Sequence, residues 1–411
     1  LYEGIITERR IRCKYTFFKA FVIKIKLFIK AFFISQSLVM FSNFTFMRIL
    51  LLSDTYSEHT EKWALGLASN GVEVGLFSFN KASYPWHQNK TNITVLFEPE
   101  NQLEVSASSK LSYLKYVKLL KIAILQFKPD VVHAHYATSY GLIGALSGFH
   151  PFVISAWGTD VMKFPQKNII FKSILKYNLK KADAICATSH TIKDYLKPVT
   201  SKNINVIPFG VNIDEFSKKD VKSLFSKESF VIGCIKALED LYNIDVLIKA
   251  FAVLKSKFSS KSLKLLIIGV GSQETELKKM VSDLNLSEDV IFTGRIAFSE
   301  VSNYFNMLDV LANISDYESF GVSVIEAMAC EKPVIATNTG GLKEIIENST
   351  FGSLVEVANV EQTAHEMERY LLDEDLKRKV GMAARAKVVE KYNWSNNIQQ
   401  MIDVYSQLMK K

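Results

Sequence analysis

The chain has 411 residues, 48% of them apolar, and a formal net charge of +8. That length predicts two domains, each able to bury a sizeable core. Eight basic residues against Glu3 and Glu8 put six of those net charges before residue 47. The remaining body is nearly balanced and carries no recognition-helix or RNA-platform motif, which argues against a nucleic-acid partner. Cys13, Cys186, Cys234 and Cys330 are scattered, without a CxxC pair or His/Cys ligand spacing. This speaks against a disulfide scaffold or structural zinc and predicts a reducing, cytoplasmic setting.

Residues 1–46 form a basic, aromatic and apolar extension whose first residue is Leu1. Its uncharged run over 31–47 is about 17 residues long and interrupted by Ser35, Gln36, Ser37, Ser42 and Asn43, a marginal span. Two readings stay open: translation from upstream of a true start at Met47, and a membrane-associating segment. Residues 47–212 alternate short apolar runs with amphipathic stretches. The runs at 49–53, 72–79, 93–97, 130–134, 152–156, 184–188 and 205–208 predict strands. A polar, turn-rich stretch follows, and 213–229 is assigned as a linker. The alternation restarts over 230–394, with strands predicted at 230–233, 263–269, 290–294, 309–312, 333–337 and 353–355. Near-continuous Val/Ile/Leu strands between helices predict parallel sheets covered on both faces, so the fold class is α/β with two Rossmann-like domains facing across a cleft. Ligands in such sheets bind at the carboxyl ends of the strands. An amphipathic helix over 395–411 closes the chain.

The segment from Asp316 to Glu344 is the most informative. Glu318 and Glu326 stand eight residues apart with Phe320, Gly321 and Val322 between them. Val324, Ile325, Ala327 and Met328 follow at helical spacing, so a helix is predicted to start at Gly321. A helix start presents unpaired N–H groups and a partial positive charge, which suits a phosphate. Glu326 lies about 7.5 Å up the axis, within reach of a ribose if a diphosphate rests at the helix start. Glu318 precedes the loop and faces the other end of the same ligand. Two carboxylates with dipoles between them fit a nucleotide-sugar. Asp316 and Glu318 lack a DxD-like arrangement and a nearby His, so no metal is expected, and the nucleotide-sugar is a substrate rather than a cofactor.

This block is similar to the donor-site signature of the retaining glycosyltransferases of family 4, and the resemblance runs from Met47 to the C-terminus. It implies the GT-B architecture, with the last helix returning to the first domain. It implies metal-independent sugar transfer from a nucleotide-sugar to a polysaccharide or lipid-linked saccharide, of the bacterial surface-polysaccharide type. The Gly269–Gly271 turn would then lie beside the nucleotide, Arg295 at the end of the strand that meets the base, and Lys236 against the leaving diphosphate. A second basic residue common in the family is replaced by Leu241 and Tyr242. Trp157 stands where the family often has His. Glu318, Lys236, His135 and Asp160 are the expected catalytic set, His135 and Asp160 orienting the reacting end. The basic stretches over 110–128 and 163–181 suit a lipid-linked acceptor and peripheral contact with the inner face of a membrane. The alternatives are a catalytically weakened nucleotide-sugar-binding relative, signalled by the missing cation, and a nucleotide-sugar epimerase or a phosphorylase of the same architecture.

Overall fold

A computed structural model describes residues 47–100 and 115–410. Residues 48–411 form one compact unit. The extension, and with it Cys13 and both readings of residues 1–46, lies outside the described residues, as does Lys110.

The first lobe is a seven-stranded sheet in the order β3-β2-β1-β4-β5-β6-β7, every pairing parallel. Its strands are β1 (Arg48–Leu52), β2 (Glu73–Phe77), β3 (Ile93–Phe97), β4 (Val131–His135), β5 (Phe152–Ala156), β6 (Ala184–Ala187) and β7 (Ile204–Val206). The helices are α1 (Glu58–Ser69), α2 (Tyr116–Phe127), α3 (Ser139–Ser147), α4 (Thr159–Met162), α5 (Ile169–Lys181) and α6 (His190–Leu196). Strands β4 and β5 are buried at every residue, which explains why they read as apolar runs rather than alternating ones.

The second lobe repeats the plan with six parallel strands in the order β10-β9-β8-β11-β12-β13. These are β8 (Phe230–Ile235), β9 (Leu263–Ile268), β10 (Val290–Gly294), β11 (Val310–Asn313), β12 (Val334–Thr337) and β13 (Ser353–Val355). Its helices are α7 (Ile244–Lys257), α8 (Glu274–Asp283), α9 (Phe298–Asn306), α10 (Val322–Ala329), α11 (Gly340–Ile346), α12 (Val360–Leu372) and α13 (Glu374–Lys391).

The segment assigned as a linker is packed at its start. Phe216 is fully buried against Phe298 and Phe305 of α9, and the Lys219 amide donates to Asn306 Oδ1. The last helix, α14 (Trp394–Met409), returns to the first lobe and lies along α1. Gly66 makes room there, since a Cβ would stand 2.7 Å from Ile398. Tyr405, also on α14, reaches the first sheet and hydrogen-bonds His133 Nδ1 at 2.6 Å.

Contacts across the lobes cluster at the strand ends. Ser189 Oγ donates to the Ser319 carbonyl at 2.9 Å, and the Glu344 carboxylate accepts the amides of His190 and Thr191 at the start of α6. Between the carboxyl ends of the two sheets lies a cavity of about 1840 Å³.

Candidate active site

One wall of the cavity is the turn between β11 and α10. Gly321 takes φ +115°, a left-handed conformation that lets the chain swing into α10. Val322 and Ser323, whose amides have no carbonyl four residues back within the helix, line the cavity. Ser323 Oγ is buried there without a hydrogen-bond partner. Behind the turn, the start of α11 lies against it. The Gly341 amide donates to the Glu318 carbonyl at 2.8 Å, and a Cβ on Gly340 would fall 2.0 Å from that same oxygen. The glycine pair is therefore what allows the turn carrying Glu318 to be braced from behind.

Glu318 forms an ion pair with Lys236, which stands beyond the end of β8, and both side chains are largely buried. The Lys236 ammonium also sits 5.0 Å over the Tyr242 ring. Where the family pattern has a second cation, this chain places an aromatic face that holds the first. Burial raises the Glu326 carboxyl to about 7, opposed by the charge of Lys62. Glu326 thus sits at the cavity with its ionisation poised near neutrality.

The facing wall is made by the first lobe. His59 and Lys62, one helical turn apart on α1, both line the cavity. Lys62 Nζ donates to the Gly210 carbonyl and lies 4.8 Å over Trp394. Burial lowers its affinity for a proton, and Glu326 pulls the other way. The His59 ring stacks on Phe209 at 4.4 Å and meets Trp157 edge-on at 5.9 Å. Burial, aided by Lys62, holds this imidazole neutral with a pKa of about 4, although Glu318 acts in the opposite sense. Tyr136, at φ +91°, follows β4 and also lines the cavity.

Seven of the residues singled out from sequence line this cavity together: Lys236, Arg295, Glu318, Phe320, Gly321, Val322 and Glu326. The other four lie behind its walls. His135 is buried among Trp63, His133 and Trp157, with Nδ1 on Ser53 Oγ and Nε2 without a partner. Burial pushes its pKa well down. The Asp160 carboxylate is fully buried and accepts the amides of Ala137, Trp157 and Gly158, tying the β4 and β5 loops together. Burial raises its pKa against the pull of those amides. The two side chains expected to orient the reacting end thus stand behind the wall: Asp160 ties the loops that carry Tyr136 and Trp157, and His135 holds Ser53 with its ring against Trp157. Gly269 and Gly271 also serve from behind. A Cβ on them would stand 1.9 Å from the Lys236 carbonyl and 2.2 Å from the Leu238 carbonyl, so they let the β9 turn press against the segment bearing Lys236.

His59, Lys62 and Phe209 were not legible as site residues. The nearest signal was the His59/Lys62 spacing at a helix start, which reads equally well as a solvated face. Among the described residues no group of three His, Cys, Asp or Glu is placed to hold a metal ion.

Residues 215–387 match the family described as Glycosyl transferases group 1, and residues 48–189 match Glycosyl transferase 4-like. The chain is a GT-B glycosyltransferase of the family 4 type. Among its relatives is N-acetyl-alpha-D-glucosaminyl L-malate synthase of Bacillus anthracis, 24% identical over 360 residues that cover 84% of this chain and 91% of the relative. Two solved structures share the fold of this glycosyltransferase. Sucrose-phosphate synthase from Thermosynechococcus elongatus superposes with a TM-score of 0.76 at 21% identity, covering 89% of this chain and 99% of the other. The Anabaena protein Alr3699/HepE, solved in complex with UDP and glucose, gives 0.69 at 19% identity, with coverage of 88% and 100%. Both lobes therefore belong to a common architecture.

Proposed function

We propose that this glycosyltransferase moves a sugar from a nucleotide-sugar to a polysaccharide or lipid-linked saccharide acceptor, with retention of anomeric configuration and without a metal ion. The observation that carries the reading is the order of groups along one wall: the Lys236–Glu318 pair, the open start of α10, then buried Glu326 one and a half turns in. A diphosphate at the helix start is met by amides and the helix dipole. Negative charge grows on that diphosphate as the glycosidic bond breaks, and Lys236 is the cation assigned to offset it. Glu318 accepts hydroxyls of the transferred sugar and Glu326 those of the ribose. Arg295, on the rim after β10, faces the base or the outer phosphate. The acceptor hydroxyl approaches from the side of His59 and Tyr136. Asp160 contributes by fixing the loops of that side, and His135 by packing behind Trp157.

The Anabaena protein was solved with UDP and glucose, which makes UDP-sugars the first set to try. The test is a panel of UDP-, GDP- and ADP-sugars scored by thermal stabilisation, followed by transfer to saccharide and lipid-linked acceptors in excess EDTA. The expected result is one preferred donor, EDTA-resistant transfer, and a product whose anomeric proton coupling matches that of the donor. Donor conversion with no acceptor present would indicate an epimerase, and loss of transfer in EDTA would remove the role given to Lys236.

A further inference from the structure

The first lobe carries a surface that the cavity does not use. Helix α2 packs beside α3, and α3 beside α5, so the three cover one face of the sheet. The stretches 115–129 and 161–182 hold ten lysines and no acid, and α3 between them is uncharged. Among the described residues none of those lysines meets a carboxylate. The acids that border the face are engaged: Asp130 accepts the Arg48 amide, and Asp183 takes His150 and the Phe152 amide. Apolar side chains stand among the lysines. On α2, Leu119, Ile122 and Leu125 share the outward stripe, Leu125 being 74% exposed. At the start of α5, Ile169 and Ile170 are 75% and 64% exposed.

We infer that this face docks on an anionic lipid bilayer, with the α5 tip entering the headgroup layer and the lysines of α2 and α5 meeting the lipid phosphates. Single exposed apolar residues need no explanation. Five of them, on two helices that flank α3 and set among lysines that meet no carboxylate among the described residues, have the composition of an interfacial surface. A polynucleotide would answer the charge but would leave the isoleucines and leucines uncovered. Three helices side by side span roughly 20 Å by 20 Å, enough for several headgroups. The geometry also deepens the proposed function, on which only its purpose rests. Helix α5 starts ten residues after Thr159, which lines the cavity, so the docked tip would bring a lipid-linked acceptor to the acceptor side of the site.

The test is co-sedimentation of the full chain with vesicles of phosphatidylcholine alone and of phosphatidylcholine mixed equally with phosphatidylglycerol, and a parallel binding assay with single-stranded RNA. Expected is at least about tenfold stronger partition onto the anionic vesicles at about 0.1 M salt, falling steeply toward 1 M. Ile169→Ser with Ile170→Ser, and separately Lys118→Glu with Lys121→Glu, should each reduce it by about tenfold. Both variants alter exposed side chains, and turnover of a soluble acceptor should stay unchanged. Lipid binding and sugar transfer are thus read independently. Equal partition on both vesicles, partition untouched by either variant, or retention on RNA in place of vesicles would overturn the assignment.

Discussion

The two walls of the cavity are built in different ways. The wall bearing Glu318 and Glu326 comes from one continuous stretch, a strand end, a glycine turn and a helix start, braced by a second glycine turn. The facing wall is assembled from α1, the ends of β4 and β5, the segment after β7, and the start of α14. The first works mainly through backbone geometry and the second through side chains brought together only by folding. A continuous wall should be sensitive to single changes in its frame. An assembled wall should lose function piecemeal.

The sharpest way to break this contrast is Lys236→Ala. It removes the cation proposed for the leaving group and leaves Glu318 without its partner. Expected is a fall in kcat of about 10²–10³-fold, larger than the change in donor KM. Steady-state kinetics with the preferred donor checks this. An unaltered kcat would shift the electrostatic work to Arg295 or Lys62.

Gly341→Ala comes next. Its φ is ordinary, so the test is steric: the new Cβ would stand 2.6 Å from Phe320 Cα and 2.7 Å from the carbonyls of Ser319 and Phe320. The turn must move, with a destabilisation of about 1–3 kcal/mol in urea unfolding and weaker donor binding by calorimetry. Gly148→Ala is the control. Gly148, unlike Gly341, has a positive φ, and nothing lies within 4 Å of its Cβ position, so only the backbone penalty of about 1 kcal/mol is expected, with donor affinity intact. Equal donor affinity in the two variants would dissolve the claim that the donor wall depends on its bracing.

The same contrast explains how much of the molecule could be read in advance. The thirteen strands of the described residues fall where apolar runs between helical patterns put them; central strands such as β4 and β5 are buried at every residue and so read as apolar runs. The wall bearing Glu318 and Glu326 was legible because its parts are contiguous: Gly321 marks the turn and helical spacing marks α10, whereas the brace by Gly340 and Gly341 came only with the fold. The burial of His135 and Asp160 was not legible, because strand-end polar residues look alike in sequence whether they face a ligand or hold the frame; only the partners tell, Ser53 for His135 and the amides of Ala137, Trp157 and Gly158 for Asp160. His59 and Phe209 are 150 residues apart and meet only through the return of the chain after β7. The absent second cation was visible, but Tyr242 lying beneath Lys236 was not.

Glu326 offers a test in which stability and binding move in opposite directions. Its folded pKa is raised from the ordinary 4.5 to about 7 by burial. Between those values the folded chain holds a proton that the unfolded chain has released, so stability falls as pH rises from about 4.5 to about 7 and levels off beyond. Glu326→Gln removes this loss and should gain on the order of 1–3 kcal/mol at pH 8 with little change at pH 4. Donor affinity should drop in the same variant, since a carboxylate accepts ribose hydroxyls better than an amide. In the unaltered protein, donor affinity should rise as pH climbs through about 7. A donor affinity that is flat across this range would detach Glu326 from the ribose.

The smallest expected effect lies on the assembled wall. His59 is held neutral with a pKa of about 4, so its ring offers one donor and one acceptor nitrogen throughout the working range. His59→Ala should lower kcat/KM by about tenfold, by the same factor from pH 6 to pH 9, because the lost group does not titrate there. His59→Asn, which keeps both hydrogen-bonding functions, should recover part of the loss, while donor affinity measured alone stays intact in both variants. The neutral ring also links to stability: its folded pKa lies below the ordinary 6.5, so stability is complete above that value and declines as pH falls toward 4. A loss in His59→Ala that appears only on one side of pH 6.5 would mean that the imidazole titrates normally. The stack on Phe209 and the edge of Trp157 would then not seal this corner of the cavity from water, and the facing wall would have to be redrawn around Tyr136.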